Sequence, residues 1–209
     1  MTRHLPHFEL AFLTSIVAAL MLSPAMCPSA VGGEYNQVLD LGDDAPAWKE
    51  LVGIDDKKHS LVDLANSKVV VVVFTCNSCP YAVDAEDRLI ALQNDYRDRG
   101  VTVVAINVNK VEEDLPPAMK KKAADKSFPF DYLYDESQQI ARDYGAIFTP
   151  ECYVLDDARR VRYMGALDDS PDGRQVTKQY ARLAIDALLA GDKPAVGETV
   201  PIGCRVRYE

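Results

Sequence analysis

The sequence predicts an α/β fold, a mixed central sheet flanked by helices, and three observations carry that expectation. Lys68 to Phe74 (KVVVVVF) is a continuous β-branched run, the pattern of a strand buried on both faces. From about Pro80, the apolar residues Ala82, Ala85, Leu89, Leu92 and Tyr96 recur at helical spacing, and the pattern stops at Gly100. The chain returns to strand over Val101 to Ile106 (VTVVAI). Together these make a β-α-β unit with a right-handed crossover.

The other elements follow the same two periodicities. Gln37 to Leu64 reads as a short strand and hairpin leading into the sheet, with Trp48 as an apolar anchor in that layer. Pro116 and Pro117 open a helix that runs to about Lys126, since proline suits a first helical turn. The Lys120-Lys121-Lys122 run within it reads as a solvated face. A short strand around Tyr132 to Tyr134 and a short helix near Gln138 to Tyr144 come next. Cys152 to Leu155 and Val161 to Met164, split by the polar turn at 156–160, form an antiparallel hairpin. In the last helix Tyr180, Leu183, Ala184, Ala187 and Leu188 share a stripe that ends at Gly191. Residues 192–209 are punctuated by Pro and Gly and read as an extended tail.

The first residues stand apart from this pattern. Leu10 to Leu22 is an uncharged, mostly apolar run of about 13 residues, preceded by Arg3, His4 and His7 and followed by Pro24 and the small residues Ser29 to Gly33. Roughly twenty apolar residues are needed to span a bilayer, so the run reads as a signal peptide over 1–33. An exported domain over 34–209, periplasmic or extracellular, is the expectation, with no membrane insertion after cleavage. Export removes Cys27 and leaves four of the five cysteines in a compartment where disulfide chemistry operates.

A net charge of −9, from 32 acidic against 23 basic residues, repels phosphate backbones and anionic bilayers. Cleavage removes one positive charge (Arg3) and one negative (Glu9), so the balance stays at −9. A nucleic-acid partner is therefore not expected. At 209 residues the chain can bury a full core without disulfide staples, so its cysteines are free for chemistry.

The chemistry is concentrated at Phe74-Thr75-Cys76-Asn77-Ser78-Cys79-Pro80, a Cys-x-x-Cys at a strand-to-helix junction. A helix N-terminus offers unpaired N–H groups and the positive end of the dipole, which favour a thiolate. On this reading Cys76, taken as the more exposed, attacks, and Cys79, one turn inside the helix, resolves the mixed disulfide. A structural zinc site would need four N or S ligands. After export only His59 remains among the histidines, and Cys152 and Cys204 are single, so no metal and no cofactor are expected. Glu86 and Asp87, two turns along the helix, are candidate proton acceptors for Cys79 as well as ordinary members of a solvated face. Thr149-Pro150 opens the hairpin strand, and an X-Pro bond there can be cis. Cys152, two residues on, reads as a core thiol, or as a third thiol near the pair.

The order of elements, with Cys76-Asn77-Ser78-Cys79-Pro80-Tyr81, Glu86-Asp87-Arg88-Leu89, Asp135-Glu136-Ser137-Gln138, Tyr144-Gly145-Ala146, Thr149-Pro150-Glu151, Arg162-Tyr163-Met164-Gly165, Leu167-Asp168-Asp169-Ser170 and Ile202-Gly203-Cys204, resembles the thioredoxin-like fold with a redoxin-type insertion and an N-terminal β-hairpin. More narrowly it resembles the peroxiredoxin-like branch that includes the alkyl hydroperoxide reductase/thiol-specific antioxidant family. The resemblance implies a cis Pro150 packed against the active disulfide and a Thr149 backbone that pairs with the incoming substrate. It also places a cysteine at the position of Cys204, leaving open whether Cys204 pairs with Cys152 or exchanges with Cys76 and Cys79.

Two departures qualify the activity. Peroxiredoxins surround their reactive cysteine with Pro-x-x-x-Thr/Ser-x-x-Cys, whereas Val73 or Cys76 stands three residues before the cysteines here and valine seven before. The Trp-Cys-Gly-Pro-Cys of ordinary thioredoxins and their buried acid in the preceding strand are also absent from the sequence. The expected function is an exported thiol–disulfide oxidoreductase acting on protein or small thiols and disulfides, in concert with an unidentified redox partner. A thiol-dependent peroxidase, and a non-enzymatic adaptor or soft-metal binder, are the alternatives.

Overall fold

The computed structural model describes residues 1–2 and 33–209. The expected export segment, including Cys27, lies outside the described residues apart from its two ends. Among the described residues no helix is long and apolar enough to cross a membrane.

The valine run forms β3 (Val69–Phe74), buried at every position. Beside it lie β4 (Val101–Asn107), parallel, and β7 (Glu151–Leu155), antiparallel. The mixed sheet is completed by β1 (Leu51–Gly53), β2 (Lys58–His59), β5 (Asp131–Tyr134) and β8 (Val161–Gly165), in the order β2-β1-β5-β4-β3-β7-β8. β3 therefore has neighbours on both edges as well as covered faces, the environment a β-branched run suits.

Because side chains alternate along a strand, β3 feeds two cores. Val69, Val71 and Val73 pack with Ala85, Leu89 and Leu92 of α1 (Pro80–Tyr96) and with Ala181, Ala184 and Ile185 of the C-terminal helix at Tyr180–Ala190. Val70, Val72 and Phe74 pack on the other face with Trp48, Tyr144 and Tyr153. Each large aliphatic side chain in these layers is worth about 2–5 kcal/mol against truncation to alanine. Between β4 and β5 runs α2 (Pro116–Lys126), whose Met119 covers Ala105 and Tyr132. The short α3 (Gln139–Asp143) precedes β7, and the C-terminal helix is α4.

The start of α1 corrects one expectation. Pro80 is the first helical residue, and a proline drives the residue before it out of the helical region. Cys79 accordingly has φ −86° and ψ 121° and is the N-cap, not a residue one turn inside.

The tail also differs from its reading as an extended segment. Phe148–Thr149 forms β6, which pairs antiparallel with β9 (Cys204–Arg205), Phe148 opposite Arg205 and Thr149 opposite Cys204. The tail is fastened on both sides of this pair. Upstream, the Thr199 N–H donates to the Met164 carbonyl at 3.1 Å. Downstream, the Val206 N–H donates to the Ile147 carbonyl at 3.0 Å, and Arg207 N–H to Asn109 Oδ1 at 3.0 Å. Gly203 is required by proximity: a Cβ there would lie 2.2 Å from the Thr149 carbonyl oxygen.

Candidate active site

The strand-to-helix junction and the end of the tail converge on one point. Cys76 and Cys79 form a small cluster with Ala82 and with the half-buried Cys204. All three cysteines are free thiols. Cys76 and Cys79 are each 3% exposed, so Cys76 is not the more accessible of the two. The Thr149–Pro150 peptide is cis, as the resemblance implies. Thr149 touches both sulfurs: its Oγ1 is 3.5 Å from Cys76 Sγ and its carbonyl oxygen 3.0 Å from Cys79 Sγ. The backbone edge at Thr149, expected to be open to a partner, is taken by β9.

The loop between the cysteines is held by a residue that sequence reasoning missed. Asp114, fully buried before α2, accepts the backbone N–H groups of Asn77 (2.7 Å) and Ser78 (2.8 Å) on Oδ1. Its Oδ2 accepts from Ser78 Oγ (2.7 Å) and Asn109 Nδ2 (3.0 Å). A carboxylate can serve as acceptor for all four, and these bonds fix the turn that carries Cys76. Ser78 Oγ also lies 3.8 Å from Cys76 Sγ, so Ser78 links that thiol to Asp114. The only trace in the sequence is an acidic run, 112–114, before two prolines.

Glu151, beside the cis bond, does the same for the other wall. Its buried carboxylate accepts the N–H groups of Ile147 and Phe148 and the Tyr153 hydroxyl, which fixes the approach to Thr149. Burial raises its pKa.

Glu86 is buried rather than part of a solvated face, while Asp87 beside it is exposed. Its carboxylate pairs with Lys122 Nζ at 2.8 Å and Lys126 Nζ at 3.5 Å. So Lys122 is not simply solvated either. Glu86 and Cys76 both line a cavity of about 10 Å³ with Asn77 and Tyr132, room for about one water molecule. The acid thus lies toward Cys76, not toward Cys79.

Cys152 is a core residue. It sits opposite Val73 on β7, buried in the α1/α4 layer, and burial pushes its thiol well up. Cys204 meets Cys79 instead of Cys152. The larger cavity, about 460 Å³ lined by residues including Arg142, Arg205 and Tyr208, holds no thiol. Among the described residues no group of three His, Cys, Asp or Glu side chains is arranged to hold a metal ion.

The electrostatics separate the two cysteines of the motif. The Cys76 thiol donates toward Cys79 and draws it down to about 5, against burial, with help from the Cys204 thiol and the N–H groups of Ala82 and Cys204. The sulfur makes no short capping hydrogen bond, so the N–H groups act through their dipoles. In its protonated form Cys79 donates to the Thr149 carbonyl oxygen at 3.0 Å, a contact that favours the thiol. Cys76 is pushed up, first by its hydrogen bonding to Cys79, then by burial and the Asp114 charge. Burial and the neighbouring Cys79 raise Cys204 to about 11. The helix-capping position and the coupling of the two sulfurs therefore favour a single thiolate on the pair, with Cys79 shifted down and Cys76 up.

A mixed sheet with helices on both faces, a cysteine pair at a strand-to-helix junction and a cis proline facing it define a thioredoxin-like protein. Residues 41–164 match the AhpC/TSA family, and the chain belongs to that family. It is similar to an uncharacterized conserved protein from Geobacillus kaustophilus, at 39% identity over 81% of this chain and 93% of that one, with a TM-score of 0.77. A hypothetical protein from Sinorhizobium meliloti 1021 is 30% identical over 83% of this chain and 97% of the other, TM-score 0.78. A putative thiol:disulfide interchange protein DsbE from Chlorobium tepidum is 28% identical over 60% of this chain and 84% of the other, TM-score 0.53. No curated protein matches the chain. The family and these neighbours support a redox function.

Proposed function

We propose that this protein is an exported thiol–disulfide oxidoreductase that cycles a Cys76–Cys79 disulfide against protein or small-molecule thiols and disulfides. The observation that carries the reading is the Cys76–Cys79 pair at the start of α1, with Cys79 as the helix cap and both sulfurs against the cis Thr149–Pro150 wall. In the reducing direction, the Cys79 thiolate attacks a partner disulfide, forming a mixed disulfide and releasing one partner sulfur as a thiolate. Cys76 then loses its proton and attacks Cys79 Sγ. The Cys76–Cys79 bond forms and the second partner sulfur leaves, protonated by solvent. The oxidising direction is the reverse. Glu86, across the small cavity from Cys76, and Asp114, reached through Ser78, are the acceptors for the Cys76 proton. Export rests on the apolar run 10–22 and the small residues after it.

The test is mixed-disulfide trapping. A Cys76→Ser/Cys204→Ser chain leaves Cys79 without a resolving thiol and should accumulate adducts with a disulfide-bonded model peptide. Cys79→Ser should accumulate few. Absence of adducts, with no dithiol reactivity in the wild type, refutes the reading. N-terminal sequencing of the protein recovered after export, beginning near Gly33 or intact from Met1, tests the leader.

AhpC/TSA membership favours a second reading, a thiol-dependent peroxidase. Stopped-flow mixing with hydrogen peroxide or an alkyl hydroperoxide decides it. Rapid sulfenate formation on Cys79 supports this reading, and oxidation no faster than that of a free thiol eliminates it.

A further inference from the structure

The tail does more than close the sheet edge. We propose that Cys204 is a third redox thiol, to which the disulfide moves from Cys76–Cys79 as a Cys79–Cys204 bond; this rests on the Cys76–Cys79 couple proposed above.

Three independent features converge on it. First, Cys79 is shared: Cys76 and Cys79 pack in one small cluster and Cys204 packs against it, so either neighbour is placed to bond with Cys79. Second, Cys204 is held there by backbone. Thr149, whose carbonyl oxygen touches Cys79, is the strand partner of Cys204, and the bonds at Thr199 and Val206 fasten the tail on both flanks. A thiol fixed in this way has a high effective concentration toward its neighbour. Third, Gly203 allows the approach, since any side chain there would collide with the Thr149 carbonyl.

Accessibility gives the third thiol a use. Cys76 and Cys79 are 3% exposed and Cys204 is half-buried, so an external sulfur reaches Cys204 more readily than either of them. β9 also fills the backbone edge at which an extended partner would add as a strand. The chain's own tail stands in the partner's place and brings its own, half-buried thiol to the pair.

The exchange balances without an external reagent. From the Cys76–Cys79 disulfide, Cys204 gives its proton to solvent and its thiolate attacks Cys79 Sγ. The Cys79–Cys204 bond forms as the Cys76–Cys79 bond breaks, and Cys76 leaves as a thiolate that takes up a proton. A partner thiolate can then attack at Cys204 and a second thiol complete the reduction, or the reverse sequence can load the couple from a partner disulfide.

The experiment is disulfide mapping of the full chain after one equivalent of diamide, with acid quenching, alkylation and non-reducing mass spectrometry. Wild type should give both Cys76–Cys79 and Cys79–Cys204 linked peptides. Cys76→Ser should give Cys79–Cys204 alone. Gly203→Ala, which keeps every thiol but displaces the tail, should lose the Cys79–Cys204 link and retain Cys76–Cys79. Absence of the Cys79–Cys204 link from both wild type and Cys76→Ser, with Cys76–Cys79 forming normally in Cys204→Ser, overturns the relay and leaves the couple standing. If Cys204→Ser forms no Cys76–Cys79 link, the couple fails and the relay with it.

Discussion

Asp114→Asn isolates what the buried carboxylate contributes. The variant keeps shape and removes charge. If its amide oxygen takes the Oδ1 position, it still accepts the Asn77 and Ser78 N–H groups, now as neutral bonds of about half the strength. Its NH2 then faces Ser78 Oγ, which can rotate to accept, and Asn109 Nδ2, which cannot. One orphaned buried donor costs about 1–3 kcal/mol, and the weakened bonds add about 1 kcal/mol more. Relief of burying a charge with no basic partner offsets part of this, leaving a net loss of about 2 kcal/mol. In a domain of this size that is about 4–8 °C in Tm. The chemical effect has the opposite sense. The Asp114 charge raises Cys76, so removing it makes Cys76 easier to ionise. Thermal unfolding of the reduced protein, and alkylation of Cys76 against pH followed by peptide mapping, measure both. A Tm within about one degree of wild type, with no downward move in the Cys76 profile, would refute the account of Asp114.

Other outcomes follow from the same geometry. Alkylation of Cys79 should show a midpoint near pH 5, and Cys76→Ala, by removing the largest donor, should move it up toward the ordinary 9.0; a profile unchanged by that substitution counts against the shared proton. With Cys79 depressed from 9.0 to about 5, the unfolded chain binds the extra proton between those values, so stability of the reduced protein should rise with pH across that window. The contribution is lost as pH falls through about 5, and urea titrations on wild type and Cys79→Ser should differ in that slope. Glu86→Gln loses its pairing with Lys122 and Lys126, both partly solvated, at a cost of about 1 kcal/mol, and should slow release of the trapped partner without altering Cys79 alkylation. Equal release rates would remove Glu86 as the acceptor. Ending the chain at Ile202 should uncover the pair and speed native-state alkylation of both cysteines; an unchanged rate would show that the tail does not shield them.

The elements that carry the sheet were legible because their signals are local. The valine run, the helical period from Ala82 to Tyr96 and the turn at 156–160 each announce one element within a dozen residues. The helix-capping role of Cys79 was misread as a place one turn inside, although Pro80 carries the signal, because proline both starts a helix and excludes its predecessor from it. The burial of Glu86 was not legible, since only the folded α1–α2 contact distinguishes it from Asp87. Asp114 acts on N–H groups 36 and 37 residues away, and β9 pairs with a two-residue strand far upstream. No periodicity can announce a strand that short. The quoted motifs Glu86-Asp87-Arg88-Leu89 and Leu167-Asp168-Asp169-Ser170 gain a physical meaning only in the fold, where Arg88 Nε lies 2.8 Å from Asp168 Oδ2.

The seating of β9 against β6 sets an order of assembly in time. A chain is synthesised from its N-terminus, and β9, which carries Cys204, follows every other strand and helix of the described fold. Both sheet cores, the Asp114-bound loop and the helix cap are complete in sequence before the closing strand exists. The thiol pair therefore passes through a stage in which it is formed but not yet covered by the tail. Cys204 reaches the pair only after β9 has been made, so the cover over Cys76 and Cys79 is the last part of the fold to be put in place.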